Sequence, residues 1–200
     1  MKNILVITAS IFGQNGQSSQ LVTKTLDKLT RQHPDAQVQI RDLAREPVPH
    51  LDAERFGAFL AAQGEPTAEQ AEVLAYSDAL IAEFKQADAV LLGVPMYNFG
   101  VPSVLKAYFD HIARAGITFR YTENGPEGLL DDKPVYVLAA RGGIYAGTPN
   151  DSQTPFLRSF LGFLGLKSVE FVYAEGLNMG DDSKAQALDK ADNHIDALTA

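Results

Sequence analysis

Apolar and polar positions along the chain alternate between two rhythms. Residues 4–7 form an unbroken apolar run, and Leu21, Val22, Leu26 and Leu29 then recur at helical spacing. Val38 and Ile40 alternate with Gln39 and Arg41, the pattern of a half-buried strand. Residues 43–51 carry Pro47 and Pro49 and read as a loop, after which Asp52 caps a short helix ending near Gly64. Thr67 and Gln70 have capping-box spacing and open a long amphipathic helix through Ala71, Leu74, Ile81 and Phe84. Residues 90–94 are the next apolar strand, closed by Pro95. Pro102 suits the first turn of a helix bearing Leu105, Tyr108, Phe109 and Ile112 on one side. A polar insert follows, in which Phe119, Arg120 and Tyr121 precede the turn signal Glu123-Asn124-Gly125-Pro126 and predict a hairpin or extended loop. Residues 135–140 form a strand, Thr154 and Pro155 open a helix that Gly165 ends, and residues 169–174 form the last strand. Asp182 or Ser183 starts a final helix through Leu188, Ile195 and Leu198.

Strict strand–helix alternation predicts an α/β domain, a doubly wound five-stranded parallel sheet with helices on both faces. The first, third and fourth strands are continuously apolar, as strands covered on both sides must be, so they are central. The second alternates and the fifth carries Glu170, which suits the edges. The order is then 2-1-3-4-5, in which ligands bind beyond the carboxyl ends of the strands, where strand order reverses. The 200 residues show no repeat and no linker, so residues 1–200 are read as one domain.

Three segments leave the central strands at that rim. The first, Thr8-Ala9-Ser10-Ile11-Phe12-Gly13-Gln14-Asn15-Gly16-Gln17-Ser18-Ser19-Gln20, has hydroxyls, amides and glycines but no charge. Such a loop at a helix N-terminus makes an anion site, with Ser10 and Ser18 as O–H donors and Gly16 and Gln17 as backbone donors. The alternative is a polar turn with Ser18 as helix cap. The segment lacks both a Walker ending and a G-x-G-x-x-G turn. The second, Pro95-Met96-Tyr97-Asn98-Phe99-Gly100-Val101-Pro102, combines apolar slabs with an amide, as a flat heteroaromatic ligand needs. The alternative is a hydrophobic turn packed on its helix. The third, Ala140-Arg141-Gly142-Gly143-Ile144-Tyr145, lets backbone N–H groups approach a ligand closely. An isolated Arg-Gly-Gly is otherwise a plain turn. Their shared rim makes the set more telling than any member.

Composition narrows the chemistry. A net charge of −8 and a pI near 4.9 argue against nucleic acid and anionic membrane as partners. With no cysteine, thiolate nucleophiles, zinc–thiolate sites and iron–sulfur clusters are excluded. No apolar run is long enough for a signal peptide or a membrane span, and the expectation is a cytoplasmic protein. His33, His50, His111 and His194 lack metal-ligand spacing and are expected at the surface, with no metal site. Asp131-Asp132 and Asp181-Asp182 read as a turn and a helix start, and Ser10 lacks a nucleophile elbow.

Four segments carry a family resemblance: Pro95-Met96-Tyr97-Asn98-Phe99; Ala113-Arg114-Ala115-Gly116-Ile117-Thr118-Phe119-Arg120-Tyr121-Thr122-Glu123-Asn124-Gly125-Pro126-Glu127-Gly128; Arg141-Gly142-Gly143; and Phe160-Leu161-Gly162-Phe163. Through them the chain resembles, over nearly its whole length, the FMN-dependent NADH-azoreductases, or FMN-dependent NADH:quinone oxidoreductases, of the flavodoxin-like superfamily. The resemblance implies FMN held at its phosphate by Ser10, Gly16, Gln17 and Ser18. Met96, Tyr97, Asn98 and Phe99 would flank the isoalloxazine, with Ala140, Arg141, Gly142 and Gly143 near its pyrimidine end. Gly16 and Ala140 stand where the family often has a hydroxyl, so their contacts must be through backbone. It further implies a homodimer with active sites at the subunit boundary. Tyr121 and Phe163 wall the substrate pocket, from the partner chain, and Tyr145 is assigned to the same pocket.

The expected chemistry is ping-pong: hydride passes from NADH or NADPH to flavin N5, then to a quinone or azo compound on the same face. Gly142 and Gly143 amides would favour the reduced ring by facing N1 and the C2 oxygen. The rival reading is a flavodoxin-type FMN electron carrier with protein partners, against which the aromatic insert at 117–130 argues. A flavin-free binding protein on the same fold is the third.

Overall fold

The computed structural model describes residues 1–62 and 64–199. Among the described residues there are seven strands and six α-helices: β1 (Asn3–Thr8), α1 (Gln17–Gln32), β2 (Gln37–Asp42), α2 (Ala53–Ala61), α3 (Ala68–Gln86), β3 (Ala89–Pro95) and α4 (Ser103–Ile112) come first. Then follow β4 (Phe119–Thr122), β5 (Gly125–Gly128), β6 (Val135–Ala140), α5 (Gln153–Phe163), β7 (Val169–Ala174) and α6 (Asp181–Leu198). The five long strands make one parallel sheet in the order β2-β1-β3-β6-β7, the order expected from strand character. β4 and β5 form a separate antiparallel hairpin after α4, the first of the two forms, hairpin or extended loop, expected of the insert.

The pleat explains how the strands fill two cores. Leu5 and Ile7 of β1 join Leu80, Phe84, Leu105, Phe109 and Leu157, from α3, α4 and α5. Ile4 and Val6 join Leu21, Leu29, Ala191 and Ile195, from α1 and α6. Every residue of β3 is buried, as the middle strand of five should be. The predicted caps form: Asp52 accepts from Arg55 N at 2.8 Å, and Thr67 and Gln70 bond reciprocally at 3.3 and 3.0 Å.

Three expectations need correction. Val38 and Ile40 are not half-buried: they are 38% and 65% exposed and join neither core. Among the described residues β2 has one strand neighbour, and on its other face Arg41 is tied down, donating from Nε to Glu83 at 2.9 Å. In α3, Ala71 is exposed and Leu74 only half-buried, whereas Ser77, Leu80, Ile81 and Phe84 are buried. The helix has 19 residues and is about 28 Å long, several ångströms more than the sheet beneath it, so its first turns pack on α2 instead. Finally, His111 is not at the surface. It is fully buried, between the ring edges of Phe59 and Tyr76, with Nε2 3.1 Å from the Pro49 carbonyl oxygen.

Candidate active site at the carboxyl rim of the sheet

β1 ends at Thr8, and the chain turns through a single 3₁₀ turn, Gly13–Asn15, into α1. Gly16 sits at the helix cap, and a Cβ there would fall 2.1 Å from Ser10 Oγ, so only glycine lets the serine lie beneath the helix end. Ser10, Ser18 and Ser19 are all buried. Ser10 Oγ accepts from Phe12 N at 3.3 Å, but Ser18 Oγ, Ser19 Oγ and Gln17 Oε1 are buried with no partner. Buried hydroxyls normally find a partner, since leaving one unpaired costs about 1–3 kcal/mol. The two serine hydroxyls, together with the free N–H groups of the first helical turn, form a neutral donor cluster suited to an anion, whereas Gln17 Oε1 can only accept. Gly16 itself contributes no amide: its N–H donates to Gly13 O at 3.2 Å.

The β3–α4 loop closes over this cradle. Tyr97 Oη accepts from Ile11 N at 3.1 Å, tying the second loop to the first. Tyr97 and Gly100 exchange backbone hydrogen bonds of 3.2 and 3.0 Å, and between them Asn98 and Phe99 have φ of 49° and 66°. Two left-handed residues in a two-residue turn are the type I′ arrangement, which ordinarily wants glycine at its second position. Here that position carries a phenylalanine, 52% exposed. Met96, by contrast, is half-buried, its N–H donating to Ala140 O at 3.0 Å. That bond occupies the Ala140 carbonyl.

The third loop is held through its carbonyls by the segment after β7. Arg141 O, Gly142 O and Gly143 O accept from Leu177, Asn178 and Gly176 N–H at 3.2, 3.0 and 2.9 Å. Among the described residues the Gly142 and Gly143 N–H groups have no protein acceptor. A side chain at either glycine would displace a neighbour: a Cβ on Gly142 would meet Asn178 Nδ2 at 2.6 Å, and one on Gly143 the Tyr145 ring at 2.7 Å.

Arg141 departs from its expected role beside a ligand. Its side chain is buried and faces inward, donating to Gln153 Oε1, Glu175 Oε1 and Thr154 Oγ1 at 3.2, 3.0 and 2.8 Å, with Asp151 Oδ1 at 3.2 Å. Its N–H is also spent, on Ala174 O at 2.9 Å. Burial pushes the Asp151 carboxyl up, but bonds from Thr154 and Arg141 outweigh it and hold the group below the ordinary aspartate range.

The aromatic residues divide into two groups. Phe99 and Tyr145 meet edge to face at the rim. Tyr121, 75% exposed, packs on Phe119, whose ring lies 4.3 Å from that of Phe163. This second group sits at the other end of α5, about 16 Å from the helix's first residue, where Leu130 N donates to Leu164 O. Within one chain, therefore, Tyr121 and Phe163 come together but do not join the rim. Sequence reasoning missed Ser19, Gln153 and Glu175. Ser19 was visible as one more hydroxyl in the cradle; a buried glutamine in a helix start and a glutamate ending a strand carried no signal.

A family model described as a flavodoxin-like fold matches residues 2–198. An FMN-dependent NADH:quinone oxidoreductase of Alcanivorax borkumensis is 58% identical over 197 residues, covering 98% of this chain and 100% of that one. The chain belongs to this flavodoxin-like family. A second family member of the same name, from Cellvibrio japonicus, is 58% identical over 190 residues, covering 95% and 96% of the two chains. Among solved structures, an azoreductase from Bacillus anthracis Sterne superposes with a TM-score of 0.91 at 30% identity, covering 100% of this chain and 99% of that one. The FMN complex of an FMN-dependent NADH-azoreductase from Bacillus anthracis Ames Ancestor matches with a TM-score of 0.88 at 26% identity, covering 100% of each. No helix among the described residues is long and apolar enough to cross a membrane.

Proposed function

We propose that this chain is an FMN-dependent NADH:quinone oxidoreductase that also reduces azo compounds. The observation that carries the reading is the pair of orphaned buried hydroxyls in the first turn of α1, Ser18 Oγ and Ser19 Oγ, beside the crowded Ser10–Gly16 pair. These fit a phosphate monoester held by neutral donors. Ser10, Ser18 and Ser19 hydroxyls with the Gln17 and Ser18 amides would hold that phosphate. Met96, Tyr97, Asn98 and Phe99 would flank the ring, and the free Gly142 and Gly143 N–H groups would hold its pyrimidine edge. Bound FMN supplies two-electron chemistry, taking a hydride from NADH and yielding one to a quinone or azo acceptor.

The chain's own groups prepare that exchange. Fixed N–H dipoles at residues 142 and 143 favour negative charge at the ring edge without reorganising. Phe99 and Tyr145 offer stacking area with few polar demands, as a pocket for varied flat acceptors needs. The rim loops, residues 9–20, 96–102, 140–150 and 176–180, contain one cationic side chain, Arg141, which is buried and paired with Asp151 and Glu175. A 2′-phosphate would find no free cation there, which favours NADH over NADPH. The two separate cores support a doubly wound arrangement, helices lying against both faces of the sheet.

The reading includes a homodimer. Ile11, Phe12, Phe99, Tyr121 and Ile144 leave large apolar surface exposed, between 52% and 75% of each residue. A second copy would bring its Tyr121 and Phe163 to this chain's rim, as one chain alone does not. It also includes a cytoplasmic location, in keeping with NADH as donor and a chain without cysteine. The electron-carrier alternative gains no support, since the relatives are named as NADH:quinone oxidoreductases.

The test is an FMN titration of the purified chain, followed by anaerobic addition of NADH and then a quinone. Bleaching of the flavin band by NADH and its return with quinone are expected. A chain that takes up no FMN, or flavin that stays oxidised under NADH, refutes the reading.

A further inference from the structure

Behind the rim, one buried side-chain network touches both loops that bear the aromatic residues. Gln153, 1% exposed, donates through Nε2 to Pro95 O at 3.0 Å, at the end of β3, and to Gly100 O at 3.3 Å, the last residue of the strained turn. Its Oε1 accepts from Arg141 Nε at 3.2 Å. The neighbouring Ser152 hydroxyl donates to Phe99 O. On its other side Arg141 donates to Glu175 Oε1, and the same oxygen accepts from Tyr145 N and Ala146 N, each at 2.9 Å. A continuous path thus runs from Gly100 through Gln153, Arg141 and Glu175 to Tyr145.

We infer that Gln153 and Arg141 are positioning residues, which set the Phe99 turn and the Tyr145 loop at a fixed separation and so shape the ring and acceptor site. The inference rests on the reading of the rim as a flavin site. Only a carboxamide does what Gln153 does, donating to two carbonyls while accepting from a guanidinium. Arg141 reaches its acceptors from three separate nitrogens of a planar fork, Nε to Gln153, Nη1 to Glu175 and Nη2 to Thr154, a spread that the single nitrogen of lysine does not reproduce. Neither residue touches the rim's open face; each acts through backbone it holds.

Gln153→Glu separates the two halves of the path. A carboxylate still pairs with Arg141 but has no hydrogen for Pro95 O or Gly100 O. Amide hydrogen exchange on the full-length, FMN-free variant is expected to speed by about tenfold or more at residues 96–100, with Tyr145 and Ala146 unchanged. Arg141→Lys is expected to speed both segments. With FMN, both variants are expected to bind the cofactor about tenfold more weakly and to raise quinone KM more than they lower kcat. Unchanged exchange at 96–100 in Gln153→Glu, or an equal rise across the whole chain, overturns the inference. If Arg141→Lys does not fold, the Gln153→Glu pattern decides alone. Because exchange is read without cofactor, failure of the wild-type chain to bind FMN would refute the functional reading and leave this coupling separately decided.

Discussion

Phe99 meets Tyr145 edge to face, with ring centroids 5.4 Å apart and planes inclined by 69°. The two side chains come from loops after different strands, β3 and β6, and Phe99 reaches its partner from a left-handed backbone with φ of 66°. That conformation costs a non-glycine residue about 1–2 kcal/mol. Strain of this kind persists where surrounding structure over-determines it, and it gathers at functional sites. Phe99→Gly removes the backbone cost together with the ring. Its melting temperature is expected to match or exceed that of the parent, while quinone KM rises about fivefold or more. Thermal melts and steady-state rates on the same preparation check both halves; an unmoved KM would take Phe99 out of the pocket.

Gly16 has no room for a methyl group. A Cβ at that position would lie 2.1 Å from Ser10 Oγ and 2.7 Å from Ser10 Cβ. The helix cap is backbone and cannot yield, so Ser10 must swing out of the cradle. Gly16→Ala is expected to weaken FMN binding by about tenfold or more, the loss of roughly one well-made hydrogen bond to a charged group. Fluorescence titration of the FMN-free chain measures it, and an unchanged dissociation constant would exclude Ser10 from the phosphate site.

His111 links stability to pH. Burial is the main reason its ring stays neutral to lower pH than an ordinary histidine; Arg55 and Arg114 reinforce this, whereas the Pro49 carbonyl and Asp110 oppose it. The folded ring therefore has the lower pKa, and the unfolded chain takes up a proton first as pH falls past about 6.5. This contribution to stability is complete above that value and is lost as pH drops through the folded pKa. Urea melts are expected to show stability declining from about pH 7 to pH 5. His111→Phe should flatten that slope, and an equal slope in both proteins would assign it to other groups.

The rim carries a cofactor prediction. The one Arg of its four loops, Arg141, is buried and already paired, so the site offers no free cation to the 2′-phosphate of NADPH. NADH is expected to exceed NADPH in kcat/KM by about tenfold or more. Comparable values would require a cation brought by a second copy, such as Arg120, which here donates to Glu127 at 2.7 Å.

Much of this was legible in the sequence, and the exceptions have physical reasons. The long strands declared themselves because covered strands are continuous apolar runs and their flanking turns are rich in glycine, proline and amides. The cradle at residues 10–19 was visible because a βα loop without a single charge is unusual. Direction was not visible. The string Arg141-Gly142-Gly143 reads the same whether the guanidinium points at a ligand or away from it, and the partners that turn it inward, Gln153 and Glu175, lie 12 and 34 residues along the chain. The burial of His111 likewise depends on Phe59 and Tyr76, from helices whose approach no local pattern encodes.

On the proposed reading, the cradle beneath α1 would hold its anion by hydroxyls and amides alone, inside a chain of net charge −8. Capture then owes little to long-range attraction, and the surrounding field slows the approach of a dianion. Raising ionic strength should speed the encounter by screening that repulsion, while the lifetime of the complex, fixed by short uncharged contacts, stays nearly constant. A flavin held this way tightens in salt, where a lysine-gripped phosphate would loosen.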